Sequence, residues 1–211
     1  MTSDLSKRLG IVIVVSGASG TGKSTICGQV RKDMPELGFS VSCTTRPPRQ
    51  GEKDSVDYHY ISKEEFKKRV DAGDFIEYAE VFSNYYGTLR SEVIDQVEAG
   101  KDVFLDIDIQ GALQIQRATE NDPVLKKCCE FIFVIPPSMV ELEKRLRGRS
   151  SDSEEQISQR LEKAGHEISF CRKYDYLIVN DELNDAVNEI ESLIRALRLN
   201  TKRMPENIFN V

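Results

Sequence analysis

The chain has 211 residues, 39% of them hydrophobic and 30% charged, a balance that excludes disordered and membrane-embedded classes. That length is enough for one α/β unit burying roughly 70% of its unfolded surface without disulfides or metals. With 29 Lys and Arg against 35 Asp and Glu, the net charge is −6. This argues against nucleic-acid binding, which phosphate neutralisation drives, and leaves room for a small phosphorylated ligand held by a local positive cluster. No apolar run approaches the ~18 residues of a membrane span. The start, Met1-Thr2-Ser3-Asp4, carries neither the basic stretch of a secretory signal nor the glycine that myristoylation needs. Cys27, Cys43, Cys128, Cys129 and Cys171 show no C-x-x-C spacing and read as reduced thiols of a cytoplasmic protein.

Apolar runs and helical patterns alternate along the chain. Residues 11–15, 103–105, 131–135 and 176–179 are short, continuous and rich in β-branched or aromatic side chains, as strands of a parallel sheet buried on both faces are. Helices are expected at 24–34, 89–99, 111–119, 138–147, 154–173 and 183–199. This order predicts an α/β fold, a doubly wound parallel sheet flanked by helices with right-handed crossovers. Residues 39–87 break the rhythm with Arg, Pro, Tyr and Gly. They read as an inserted, mostly β subdomain with one helix near 63–72. A charged segment at about 148–160 reads as a mobile lid. The expected division is one domain over 1–211, with core segments at about 9–38, 88–147 and 174–199. The tail, 200–211, holds Pro205 and little periodicity, and loose packing or disorder is expected there.

Gly17, Ala18, Ser19, Gly20, Thr21, Gly22, Lys23 and Ser24, followed by Thr25, match G-x-x-x-x-G-K-[ST] at every fixed position. The glycines let backbone N–H groups curl around phosphate oxygens, Lys23 reaches the β- and γ-phosphates, and the Ser24 hydroxyl suits Mg²⁺. The helix that starts at Lys23 turns its positive end to the same anion. The run Val103-Phe104-Leu105-Asp106 ends a strand in a carboxylate, suited to that Mg²⁺ directly or through water; a helix cap is the plainer alternative. In the insert, Thr44-Thr45-Arg46-Pro47-Pro48-Arg49 sets two guanidiniums three residues apart on a stiff loop. Their planar forks suit phosphate oxygens, and Tyr58, Tyr85 and Tyr86 add phenolic donors. A second phosphate site follows, hence a phosphotransferase acting on a small phosphorylated acceptor.

Six blocks resemble the guanylate kinase family over residues 11 to about 197: SGASGTGKST, SVSCTTRPPRQGE, DYHY, FIEYAEVFSNYYGT, FLDIDIQG, and RLRGRSSDSEEQISQRL with IVND after it. The resemblance implies transfer of the ATP γ-phosphate to GMP, a step of purine nucleotide metabolism and GMP recycling, with dGMP open as a second acceptor. It implies that Arg46, Arg49, Tyr58 and Tyr86 hold the GMP phosphate, and that Ser42, Glu77, Thr88 and Asp108 read the guanine. Arg149 and Arg160, assisted by Arg145, would clamp the transferring phosphates; Asn180 and Asp181 would lie near the ATP base. A monomer is expected, with a dimer as the alternative. Ala18, where the loop often has proline, and Cys43, where serine is frequent, depart from the commonest pattern without removing a ligand.

Guanine offers N1–H and N2–H₂ on one edge, which a carboxylate such as Glu77 accepts together, whereas adenine presents an acceptor there. A closed site punishes such unpaired groups by on the order of 10⁴–10⁵ in discrimination. The acceptor oxygen is already anionic, so no general base is needed and neither His59 nor His166 is expected to be catalytic; both read as isolated structural or exposed side chains. Exclusion of water during transfer predicts that insert and lid fold over the core. A scaffold that had lost chemistry would show a damaged loop or lost lid arginines; Gly22, Lys23, Ser24, Arg149 and Arg160 are all present. Glu77 and Asp108 argue against another nucleoside monophosphate.

Overall fold

A computed structural model describes residues 8–81, 83–148 and 153–209. The chain begins with β1 (Val12–Gly17), α1 (Lys23–Asp33), β2 (Gly38–Phe39), β3 (Cys43–Thr44) and β4 (His59–Tyr60). It continues with α2 (Lys63–Ala72), β5 (Phe75–Val81), β6 (Asn84–Leu89), α3 (Arg90–Glu98) and β7 (Val103–Asp106). Then come α4 (Ile109–Asn121), α5 (Pro123–Cys128), β8 (Cys129–Ile135), α6 (Met139–Arg147), α7 (Glu154–Ile168), β9 (Tyr176–Val179) and α8 (Leu183–Leu197).

Five strands form a parallel sheet in the order β2-β7-β1-β8-β9. The continuous apolar runs are what a sheet covered on both faces requires. One face of β1, through Ile13 and Val15, packs on Ile26 and Val30 of α1 and on Val187, Ile190 and Ile194 of α8. The other face, through Val12 and Val14, meets Val93, Val97, Ala112, Ile115 and Leu125. The α/β expectation is borne out. A mixed sheet, ordered β4-β3-β6-β5, occupies the segment that broke the rhythm and ends just past it, at Leu89. There Phe66 of α2 stacks on Phe75 at 4.4 Å and on Tyr85 at 5.3 Å between ring centroids. Tyr85 is thus a packing residue of this small core.

Some elements escape the periodicity. β2 and β3 have two residues each, too few for any pattern. α5 is short, but its start is marked: the Asp122 side chain accepts from the N–H groups of Val124 and Leu125, with Pro123 in the first turn. The helix expected over 154–173 stops at Ile168 and continues as a 3₁₀ segment, Ser169–Lys173. The tail corrects the expectation of loose packing. Arg203 is 1% exposed and donates to Glu130 Oε1 at 2.7 Å, to the Lys127 carbonyl at 3.1 Å and to the Leu197 carbonyl. Its own carbonyl accepts from Leu9 N–H at 2.9 Å. A single charged anchor replaces the apolar stripe that periodicity detects.

Candidate functional site

The glycine-rich loop at residues 17–24 joins β1 to α1 at the carboxyl end of the sheet, where open α/β folds place ligands. Gly20 and Gly22 take φ of 87° and 88°, left-handed values that side chains with a Cβ resist. Residues 17–25 line a concavity of about 240 Å³, and α1 begins at Lys23 without a side-chain cap, leaving its first N–H groups to a ligand. In the parallel register Val15 lies opposite Asp106. That neighbourhood lets Lys23 Nζ pair with the Asp106 carboxylate. Asp106 is therefore a partner of the loop lysine and not a helix cap. One turn on from Lys23, burial and the Asp106 charge push the Cys27 thiol up to about 12.

The far wall of the loop comes from α6, α7 and the turn after β9. Asn180 Nδ2 donates to the Thr21 carbonyl at 2.6 Å. Arg145 donates to the Asn180 carbonyl at 2.8 Å and the Asp181 carbonyl at 3.2 Å, and to Glu141 Oε1 at 3.1 Å. Its guanidinium braces that turn. Ser19 N–H donates to Glu167 Oε2 at 2.8 Å, a contact with no sequence signal because 148 residues separate the two. Arg160 stands on α7. Arg149 and residues 150–152 of the expected lid segment lie outside the described residues.

In the insert, Arg46 meets Glu52 through two bonds of 2.9 Å each. Glu52 also accepts from Tyr60 Oη at 2.8 Å and from the Arg49 N–H at 2.7 Å. The Arg46 guanidinium, with these hydrogen bonds, holds the Glu52 carboxyl down at about 2, and the carboxylate raises Arg46 in turn. The Arg46 guanidinium lies 5.5 Å from the Tyr58 ring centre, and the Tyr58 and Tyr86 rings meet edge to face at 6.0 Å. Arg46, Tyr58 and Tyr86 thus converge, while Arg49 contributes its backbone and its side chain is exposed. Glu52 organises this group, and its one mark in the sequence is its place three residues after Arg49.

Glu77 is 7% exposed and accepts from Thr88 Oγ1 at 2.6 Å across the β5–β6 pair. Burial, with Asp108 nearby, raises its carboxyl above the ordinary range, against the opposing effect of Thr88. Asp108 caps α4 by accepting from Gly111 N–H at 2.8 Å. Gln114 of α4 grips the Tyr78 backbone from both sides, accepting from its N–H at 3.0 Å and donating to its carbonyl at 2.7 Å. Both contacts fasten β5 to the core helix. A cavity of about 230 Å³ lies between the sheets and is lined by Ser42, Tyr58, Thr88 and Asp106 among others. It connects the partner of Lys23 with the partner of Glu77.

His59 is not isolated: its Nε2 lies 2.8 Å from Glu92 Oε1 of α3, and Ser40 Oγ donates to the other Glu92 oxygen at 3.2 Å. His166 packs its ring edge to face with Phe170 at 5.2 Å. All five cysteines are free thiols. Among the described residues no cluster of three or more His, Cys, Asp or Glu is placed to hold a metal, and no helix is long and apolar enough to cross a membrane.

The family model described as guanylate kinase matches residues 10–197. A guanylate kinase of Clostridium perfringens (strain SM101 / Type A) is 45% identical over 200 residues, spanning 94% of this chain and 89% of that one. One from Carboxydothermus hydrogenoformans is 45% identical over 195 residues, 92% of each chain. The crystal structure of guanylate kinase from Anaplasma phagocytophilum matches with a TM-score of 0.73 at 33% identity, covering 97% of this chain and 95% of that one. The chain belongs to the guanylate kinase family.

Proposed function

We propose that the chain transfers the γ-phosphate of ATP to GMP, giving ADP and GDP. The observation that carries this reading is the single cavity whose lining includes both Asp106, paired with Lys23, and Thr88, paired with the buried Glu77. One end suits a transferring phosphate and the other suits a base that presents two N–H donors.

In this reading Arg46, Arg49, Tyr58 and Tyr86 hold the acceptor phosphate. Glu77, with Ser42, Thr88 and Asp108, accepts and aligns the guanine edge. The phosphate loop from Gly17 to Thr25 wraps the ATP phosphates. Asn180 and Asp181 face the adenine, and Arg145 supports their turn. Lys23 exchanges Asp106 for the transferring phosphoryl group, with Arg149 and Arg160 adding charge as the lid closes. Because the attacking oxygen is already anionic, the residues act by positioning and by stabilising charge. The Ser24 hydroxyl and the one-third-exposed Asp106 carboxylate are hard oxygen donors that fit Mg²⁺, which takes its remaining ligands from phosphates and water. When bound, Mg²⁺ neutralises phosphate charge. Five free thiols accord with a cytoplasmic location.

The test is ADP release with ATP and Mg²⁺ across GMP, AMP, CMP, UMP and dTMP. Turnover with GMP alone is expected. Turnover with another acceptor instead keeps the kinase and overturns the roles of Glu77 and Asp108. No turnover from folded protein that still binds GMP overturns the kinase reading. Scattering profiles with and without both nucleotides test closure, and identical profiles count against it.

A further inference from the structure

We infer that Glu167 is a positioning residue for the ATP loop, a role that rests on reading residues 17–25 as the ATP phosphate site. The outer limb of that loop sits on an apolar floor supplied by α6 and α7. Ala18 is 3% exposed and belongs to a cluster with Leu142, Leu146, Ile157 and Ala164. A Cβ added to Gly20 would lie 2.9 Å from Leu146 Cδ2 and 3.0 Å from Leu142 Cδ1. The floor sets the height of the limb, and apolar contact is non-directional. Asn180 ties the loop at the Thr21 carbonyl; the directional tie between α7 and the outer limb is the bond from Ser19 N–H to Glu167 Oε2, at 2.8 Å.

Glu167 is an unexpected choice for this place. Its carboxylate stands against a loop that receives a polyanion, where its charge opposes the ligand. Lys163, one turn earlier on α7, offsets part of that charge at 3.6 Å from Oε1, and the Glu167 side chain is 18% exposed. What the carboxylate contributes is a strong acceptor for one outward-facing N–H, which keeps the limb curled and spends Ser19 N–H on the protein rather than on phosphate. Arg160 lies seven residues before Glu167 on the same helix, two turns away and on the same side. One rod thus carries the arginine proposed to reach the phosphates and the carboxylate that holds their loop.

The two effects have opposite signs, which makes the role testable. Glu167→Ala loses the tie and is expected to raise both the KM for ATP and the Kd for a non-hydrolysable ATP analogue about 10-fold, the scale of a hydrogen bond to a charged group. The KM for GMP and the thermal midpoint stay close to the parent values. Glu167→Gln keeps an acceptor and removes the charge, so its ATP affinity equals or exceeds that of the parent. Glu167→Ala binding ATP as tightly as the parent overturns the proposal, as does Glu167→Gln weakening as much as Glu167→Ala. Amide exchange in the unsubstituted protein reads the tie directly. Ser19 N–H is expected to stay protected with and without MgADP; protection lost on nucleotide binding marks Glu167 as a placeholder and overturns the role. A parent protein that binds the analogue no better than Lys23→Ala instead removes the reading of the loop itself.

Discussion

A Cβ placed on Gly111 would come within 2.7 Å of Glu77 Oε2, so the first turn of α4 and the buried carboxylate of β5 approach through a bare Cα. Glu77 cannot swing away freely, because Thr88 holds its other oxygen at 2.6 Å. Gly111→Ala therefore separates fold from recognition. Alanine favours the helix by up to about 1 kcal/mol over glycine, which offsets part of the cost of moving the buried carboxylate, so only a small fall in the thermal midpoint is expected. The displaced carboxylate raises the KM for GMP about 10-fold or more and leaves the KM for ATP unchanged. Steady-state kinetics with each substrate varied in turn, beside a thermal melt, check both halves.

Burial keeps Glu77 protonated to a higher pH than an ordinary carboxylate. The native state holds that proton more tightly than the unfolded chain does. Its contribution to stability is accordingly largest at low pH and falls as pH rises from the ordinary carboxylate range through the raised value. Guanine recognition runs the other way, because the N1–H and N2–H₂ donors need the ionised form. The KM for GMP is expected to rise as pH falls from about 7 toward the ordinary carboxylate range near 4.3. In Glu77→Gln that component disappears, and what remains belongs to the GMP phosphate, which titrates near about 6. Parallel profiles for the two proteins would count against Glu77 as the guanine acceptor.

Lys23→Ala removes the cation that pairs with Asp106 and that is proposed to follow the transferring phosphoryl group. Turnover is expected to fall by at least about 10²-fold, as losing a preorganised charge-stabilising donor does. The melting profile changes little, since Lys23 and Asp106 are both partly exposed. Full activity of this variant would overturn the assignment.

The Arg203–Glu130 pair lies in the tail and the start of β8, and no residue proposed to bind nucleotide takes part in it. Arg203→Ala leaves Glu130 with Lys202 at 2.8 Å but strips the Lys127 and Leu197 carbonyls of their donor. A loss of about 3 kcal/mol is expected, the low end for breaking a buried pair, or roughly 6–12 °C in midpoint for a chain of this size. Both KM values should stay at the parent level. Truncation after Asn200 should cost more than the single substitution, because it removes the same guanidinium together with Lys202 and the carbonyl that accepts from Leu9 N–H.

The parts legible from sequence are those whose physics is local. The curl of residues 17–24 depends on glycines adjacent in the chain and on a lysine at fixed spacing, so the motif carries its own geometry. Strands buried on both faces need continuous apolar runs, and four of the five strands in the parallel sheet have them; β2, with two residues, does not. The Ser62 cap and Gly73 at φ 72° likewise bound α2 at 63–72, as the pattern indicates. What tertiary structure decided is which charged or polar group meets which. Glu167 on Ser19, Glu130 on Arg203 and Gly111 against Glu77 are contacts between segments whose meeting depends on how elements pack. A carboxylate reads the same in sequence whether it faces water or a guanidinium. Burial and a partner's approach, set by sheet order and helix packing, single out one such residue as the proposed guanine acceptor and another as the proposed tie on the loop at residues 17–25.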